Sequence, residues 1–197
     1  MNVLVLNCGS SSLKYRLISM PREIEIAGGE AQRVGPKTAE PARILHRTGG
    51  REETAFAEMP NHRAAFEEVM RLLARGGGPM PDAIAHRVVH GGAVFGGPAV
   101  IDEHAIVALE GLGDLAPLHN PPAVALLEAC RSLYPHLPEV AVFDTSFHAT
   151  LPEYARTYAL PRPIVEKFGI RKYGFTVQAT VTSRRRRRSF LGNRSSA

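Results

Sequence analysis

The sequence has few cysteines and no long apolar run. Its two cysteines, Cys8 and Cys130, cannot form a disulfide framework and lack the paired spacing of a zinc-binding motif. No stretch reaches the roughly 18 consecutive apolar residues that a membrane-spanning helix needs. Residues 1–18 lack the basic start and long apolar segment of a secretory signal. We therefore expect a reduced, cytoplasmic protein that does not contact a membrane.

Positive charge is in excess only at one end of the chain. Lys and Arg total 24 against 19 Asp and Glu, but residues 176–197 contain several arginines and no acid. Residues 1–175 are therefore close to neutral, so the high isoelectric point does not by itself indicate a nucleic-acid binder. With 197 residues, 44% hydrophobic and 22% charged, the chain can form a packed core in one large domain or two small ones.

Two hairpins are predicted in the first third of the sequence. Val3–Leu6 and Leu13–Ile18 are β-rich runs on either side of a polar turn, and a second pair of runs surrounds Gly49 and Gly50. Residues 28–42, which contain Gly, Pro and Glu, are predicted to be a loop.

Helices and strands alternate in the rest of the chain. The periodicity predicts a helix over 61–75, capped by Asn61 and ended by Gly76, and a helix after Asp102. Another helix is predicted to start at Asn120, with that residue as its cap, and to run to about 133. Residues 83–89 and 139–143 are predicted strands. This alternation predicts an α/β fold with a mixed sheet and flanking helices.

The turn after the first strand combines Asn7, Ser10, Ser12 and Lys14. Backbone N–H groups, hydroxyls and a nearby ammonium group can together hold a phosphate. The spacing matches neither a P-loop nor a dinucleotide-binding fingerprint. An ordinary serine-rich hairpin turn explains the same residues equally well.

Arg87 lies within an apolar strand that runs into His90-Gly91-Gly92. A guanidinium group there is costly unless it is paired. It can grip a carboxylate or phosphate through two parallel hydrogen bonds, or it can form a structural ion pair.

Two further candidates lie beside predicted elements. His119 precedes the helix at Asn120, where it could donate to an anion or simply pack beside the cap. Asp144 follows the strand EVAVF, at the strand end where α/β folds place reacting groups, although a turn or capping role is equally ordinary.

The chain contains, in this order, the segments NCGSSSLKY, AHRVVHGG, LAPLHNPPA, FDTSFHATLP and RKYGF. Taken together, they resemble the N-terminal half of the acetokinase (acetate kinase) family. The resemblance implies an actin/sugar-kinase/heat-shock-ATPase-like (ribonuclease-H-like) fold of two α/β domains around a cleft. It also implies reversible phosphoryl transfer from ATP to acetate, which gives ADP and acetyl phosphate, with Mg²⁺ as cofactor. Intact members are homodimers, and no specific nucleic-acid partner is expected.

The resemblance also assigns roles to matching residues. Asn7 is implied in the magnesium site, and Ser10, Ser12 and Lys14 in phosphate binding. Arg87 is implied to hold the acetate carboxylate and the phosphoryl group. His119 is implied to support the phosphoryl group. Asp144 is implied to act as the acid or to orient Arg87. Val89 and Leu118 are implied to line a pocket for the acetate methyl group.

The resemblance to the family's amino-acid sequence stops after Phe175. The family continues HGTSHRYV, and deleting one base after the Phe codon converts a DNA sequence for that segment into Thr176 through Ser183 as found here. We therefore expect 1–175 to be the family's N-terminal domain and 176–197 to be an out-of-frame, disordered tail, with the C-terminal nucleotide-binding domain absent. Such a fragment is expected to be inactive or severely impaired.

Two alternatives differ from an acetate kinase. One is a propionate or butyrate kinase, because a single methylene in an apolar pocket discriminates weakly. The other is a nonenzymatic protein that binds nucleic acid through the basic run Arg184–Arg188.

Overall fold

The structure, a computed structural model, describes residues 1–173, apart from the side chain of Phe147. The predictions for 176–197, including the out-of-frame tail and the basic run Arg184–Arg188, lie outside the described residues.

One mixed sheet organises the described part of the chain. Its strands are β1 Asn2–Cys8, β2 Ser12–Ser19, β3 Ile24–Gln32, β4 Arg43–Thr48, β5 Arg51–Phe56, β6 Ala83–Val88, β7 Ala99–Val100 and β8 Glu139–Phe143. Their order across the sheet is β5-β4-β3-β2-β1-β6-β8-β7. The strands β1, β6 and β8 are parallel, and the other pairs are antiparallel. The carboxyl ends of the three parallel strands therefore meet at one edge.

Over residues 1–173, five α-helices lie between and after the strands. They are α1 His62–Arg75, α2 Glu103–Glu110, α3 Asn120–Leu133, α4 Glu153–Arg156 and α5 Arg162–Phe168, with short 3-10 helices at Gly113–Leu115 and Asp144–His148. Two of them, α1 and α3, pack on one face of the sheet. The alternating buried side chains of the central strands contact α1 and α3 and form a single core with them. The predicted α/β fold with a mixed sheet is confirmed.

The helix α1 forms where its apolar spacing predicts it. Phe66, Val69, Met70 and Leu73 are all buried on one side. The Asn61 side chain accepts from the Ala64 N–H at 2.9 Å, which confirms the predicted cap. Burial of this one face holds the helix against β2 and β3.

The predicted loop at 28–42 is wrong over its first residues, since β3 continues to Gln32. The glycines that suggested a loop are required inside the strand. A Cβ on Gly29 would lie 2.7 Å from the Tyr15 hydroxyl oxygen, so only a residue without a side chain fits beneath that ring. The second hairpin is confirmed, with Gly49 and Gly50 at φ of 55° and 75° in its turn.

Candidate active site

A row of paired residues crosses the sheet near the carboxyl ends of its parallel strands. Lys14 pairs with Asn7, Asn7 with Arg87, and Arg87 with Val142. Directly paired residues point to the same face. In this row that face is the one opposite α1 and α3, because the alternate residues Leu6, Cys8 and Val88 are buried in the core.

Arg87 is held by two partners distant in sequence. Its Nε and Nη2 donate to the two carboxylate oxygens of Asp144 at 3.0 and 2.5 Å, and its Nη1 donates to Asn7 Oδ1 at 2.9 Å. The Asp144 side chain is 3% exposed, whereas that of Arg87 is 37% exposed. Asp144 therefore lies on the protein side of the pair, and the guanidinium faces the opening.

This arrangement leaves Arg87 able to bind an anion. A guanidinium has five N–H donors, and these partners engage three of them. One N–H on each terminal nitrogen remains for a carboxylate or phosphoryl oxygen. Because Asp144 fixes the plane of the guanidinium, its orientation is set before a ligand arrives.

The turn between β1 and β2 places its polar groups beside this row. The Gly9 N–H donates to Ser12 O at 2.8 Å, and the His62 Nε2–H donates to Gly9 O at 2.8 Å. Ser10 is exposed at the tip and Ser12 is half-buried. Lys14 lies 3.7 Å from Glu30 with 60% of its side chain exposed, a loose pair that leaves its ammonium group accessible.

The segment after β6 is tied to two neighbouring elements. The Asn120 side chain accepts from the His90 N–H at 3.2 Å and donates to His90 O at 2.9 Å. The Gly91 N–H donates to the Thr145 hydroxyl at 3.0 Å. These bonds hold the chain that follows Arg87 against both α3 and the residue after Asp144.

The prediction that Asn120 caps α3 is therefore wrong. Asn120 is the first residue of the helix and is fully buried, while His119 occupies the cap position without a side-chain hydrogen bond. Polar backbone groups in the buried segment after β6 need partners, and the Asn120 amide supplies both a donor and an acceptor. Sequence alone could not distinguish this role from capping.

The other predicted site residues near this opening differ in how far they are exposed. His119 is exposed at the start of α3, one residue from the Asn120 anchor. Val89 is half-buried directly after β6, but Leu118 is 71% exposed. The described residues therefore bring Asn7, Arg87 and Asp144 into direct contact and do not enclose Leu118 in a pocket.

A cation-lined cavity beyond Thr145 was missed by the sequence predictions. It measures about 180 Å³, and its lining includes Thr145, His148, Arg156, Arg171 and Lys172. The Nε of Arg171 is buried and has no hydrogen-bond partner among the described residues. The sequence signal that could have indicated this cavity is the basic pair Arg171 and Lys172, which precedes Tyr173 in the RKYGF segment.

Burial keeps His90 neutral at this site. It lowers the pKa of the His90 imidazole. The Nδ1 atom accepts from the Gly92 N–H at 2.9 Å, which an unprotonated nitrogen alone can do. On the other side of Asn7, burial raises the pKa of the Cys8 thiol to about 12, so this cysteine is not a nucleophile at neutral pH.

Comparison with known proteins identifies the family of this site. The sequence model described as the Acetokinase family matches residues 2–194. The chain belongs to the acetokinase family. It is 43% identical to the acetate kinase of Methanosarcina acetivorans over 198 residues, which are 98% of this chain and 48% of that protein. It is 45% identical to the acetate kinase of Clostridium novyi over 181 residues, 89% of this chain and 44% of that protein.

Solved structures of the family share the fold. The acetate kinase of Porphyromonas gingivalis superposes with a TM-score of 0.81 at 37% identity, over 88% of this chain and 45% of that one. A propionate kinase from Francisella tularensis gives a TM-score of 0.81 at 35% identity, over 88% and 44%. The chain thus spans about half the length of these acetokinase relatives. Over the described residues, no helix is long and apolar enough to cross a bilayer.

Proposed function

We propose that this chain carries the acetate- and phosphoryl-binding side of an acetate kinase site. The reaction transfers the γ-phosphoryl group of ATP to an oxygen of acetate, so that a bond from phosphorus to acetate forms as the bond from phosphorus to ADP breaks. The carboxylate is already ionised, and no proton has to move. The observation that supports this proposal is Arg87, held flat by Asp144 and Asn7 with two N–H donors left for an anion.

Catalysis of such a transfer depends on position and charge. Arg87 binds the acetate carboxylate and the moving phosphoryl oxygens, where negative charge is shared in the transition state. Asp144 orients Arg87 and takes no proton. Lys14 and the hydroxyls of Ser10 and Ser12 face the nucleotide phosphates, and His119 supports the phosphoryl group from the start of α3. Val89 and Leu118 contact the acetate methyl group.

The oxygens at this opening suit a hydrated magnesium ion. Mg²⁺ keeps several waters and is commonly held by one or two protein oxygens together with substrate phosphates. The Asn7 amide oxygen and the Asp144 carboxylate are such hard donors, and both already accept from Arg87. Asn7 would therefore hold the ion through water. When bound with ATP, the ion neutralises charge on the phosphate oxygens.

The 197 residues by themselves are proposed to bind acetate while turning over slowly. The relatives are about twice as long, and a phosphoryl-transfer site needs cations on every side of the phosphate. Losing several electrostatic groups that act together lowers a rate by many orders of magnitude.

A propionate kinase is the second candidate, because a propionate kinase superposes as well as an acetate kinase does. One additional methylene changes the transition-state free energy by about 1–3 kcal/mol. The exposed position of Leu118 leaves room for that methylene.

The purified 197-residue chain tests these proposals through acetate binding and acetyl phosphate formation. We expect saturable acetate binding by NMR, lost in Arg87→Ala and retained in Arg63→Ala, an arginine in an exposed pair with Glu67 on α1. Hydroxamate formation should be slow and dependent on Arg87. Absence of saturable acetate binding would refute the assignment. Turnover at the usual kinase rate of about 1–100 s⁻¹ would refute the claim that these residues alone are insufficient. The relative kcat/KM for acetate, propionate and butyrate separates the substrate candidates.

A further inference from the structure

Three potential metal ligands meet inside the core, away from the site described above. His86 comes from β6, Cys130 from the last turns of α3 and Glu139 from the start of β8. One ligand atom from each lies within 4.8 Å of the other two. The three residues are 3%, 0% and 2% exposed, respectively.

This cluster and the catalytic row lie on opposite faces of the sheet. His86 immediately precedes Arg87, and successive strand residues point to opposite faces. Glu139 likewise shares the core face of β8 with Phe143. The cluster is therefore not part of the anion-binding opening.

Glu139 is incompletely satisfied where it lies. Its Oε2 is 2.8 Å from His86 Nε2, but no described residue offers a hydrogen bond to its buried Oε1. Arg131, which lines a cavity with Glu139, donates instead to Ile101 O at 2.8 Å. A buried carboxylate oxygen without a hydrogen-bond partner is costly. Here that oxygen belongs to Glu139, whose carboxylate also lies near the Cys130 thiol.

We propose that His86, Cys130 and Glu139 form a binding site for a divalent transition-metal ion of the zinc class. Imidazole, thiolate and carboxylate are the three ligand types that zinc takes in proteins. One thiolate and one carboxylate balance the two charges of the ion, so the loaded cluster is neutral and suited to a core. The second oxygen of Glu139, or a water, supplies the fourth ligand.

The ligand atoms would have to shift from their present separations, which are within 4.8 Å, to reach bonding positions around one ion. Bond lengths of about 2.0–2.3 Å around a tetrahedral ion place neighbouring ligand atoms about 3.3–3.8 Å apart. The His86 and Glu139 atoms, at 2.8 Å, would separate by about half an ångström. The imidazole would present its bare nitrogen to the ion.

Metal loading would deprotonate the cysteine. A cysteine thiol is mostly protonated at neutral pH when no ion is bound. A bound divalent ion reverses this and releases the proton. Zinc binding should therefore release protons and weaken as the pH falls.

Two routes allow an ion to reach the cluster. A cavity of about 330 Å³, lined by Glu139, Arg131 and His136 among others, lies beside it. The ion can also bind as the chain folds. Once bound, it would join β6, β8 and α3, the elements whose ends position Arg87, Asp144 and Asn120.

Cobalt substitution of the full 197-residue chain tests the site. We expect one Co²⁺ per chain, with the sulfur-to-cobalt charge-transfer absorption in the near ultraviolet and tetrahedral bands in the visible. Zinc should displace the cobalt and raise the melting temperature by mass action. Cys130→Ser should abolish the sulfur band, and Glu139→Gln should weaken zinc binding at least tenfold.

Cys8→Ala is the matched control, because it removes the other buried thiol and leaves the three ligands intact. It should keep the cobalt spectrum. The proposal is overturned if the unmodified chain gives no sulfur-to-cobalt band, or if Cys130→Ser binds zinc as tightly as the unmodified chain. The spectrum of the unmodified chain decides the matter even if a variant fails to fold.

Discussion

Asp144 and Arg87 meet side by side across the ends of two parallel strands, with both carboxylate oxygens engaged by the guanidinium. The pair is asymmetric, since Asp144 is buried and Arg87 reaches the opening. Truncating either partner therefore has a different consequence for stability.

Arg87→Ala should be more destabilising than Asp144→Ala. It leaves a buried carboxylate unpaired and should lower the free energy of unfolding by about 3 kcal/mol. Asp144→Ala leaves a guanidinium that can reach water, and should cost about 2 kcal/mol. Urea denaturation measures both. The double variant should be no less stable than Arg87→Ala, and the reverse order of the single variants would contradict the asymmetry.

Lys14→Ala should weaken phosphate binding while leaving stability nearly unchanged. Its exposed pair with Glu30 contributes about 0–1 kcal/mol, whereas a phosphate beside the β1–β2 turn would lose a cation. We expect about tenfold weaker binding of acetyl phosphate, equivalent to about 1.4 kcal/mol. Arg16→Ala is the control, because Arg16 lies two residues along the same strand and pairs similarly with Glu25 at 3.6 Å. Equal losses in both variants would indicate nonspecific attraction.

Asn120→Ala should cost about 2–3 kcal/mol of unfolding free energy, because it leaves buried backbone groups at His90 without partners. Asp102→Ala removes an ordinary helix cap, in which the carboxylate accepts from the Ala105 N–H at 2.7 Å, and should cost about 1 kcal/mol. Thermal and urea unfolding compare the two. Similar losses would mean that Asn120 acts as no more than a cap.

Stability should fall on acidification below about pH 6.5, where an unfolded histidine begins to bind a proton. Burial lowers the pKa of both His46 and His90. The unfolded chain therefore binds more protons than the folded one between the ordinary pKa and the lowered one, so stability is lost as the pH falls through that window. Each histidine contributes a slope of at most about 1.4 kcal/mol per pH unit.

Substituting each of the two histidines distinguishes its contribution to the acid sensitivity from that of other titrating groups. His46 Nδ1 shares a hydrogen bond of 2.6 Å with the Tyr15 hydroxyl, and His90 accepts from the Gly92 N–H. His46→Asn and His90→Asn should each flatten the dependence of unfolding free energy on pH between 7.5 and 5. His104→Gln, at an exposed position of α2, should not. An unchanged slope in both buried variants would assign the acid sensitivity to other groups.

Local elements were predictable because their signals lie within a few residues. The hairpin around Gly49 and Gly50 needs positive φ at its turn, and α1 needs only its cap and one apolar face. The strand β3 was not predicted, because Gly29 is required there by its close approach to Leu45 and Tyr15, which lie on the two neighbouring strands. Propensity cannot account for such a contact.

By itself the sequence indicated most of the strands and helices, although not β3 or β7, together with the cap of α1 and the positions of Arg87 and Asp144 at the ends of their strands. Tertiary structure alone decided which groups these side chains meet. Arg87 finds Asn7 and Asp144 across parallel strands, 80 and 57 residues away, Asn120 turns to His90 rather than to its own helix, and His86 meets Cys130 and Glu139 in the core. Each pairing depends on strand register and helix packing, which arise only when the sheet assembles and distant buried groups must find partners.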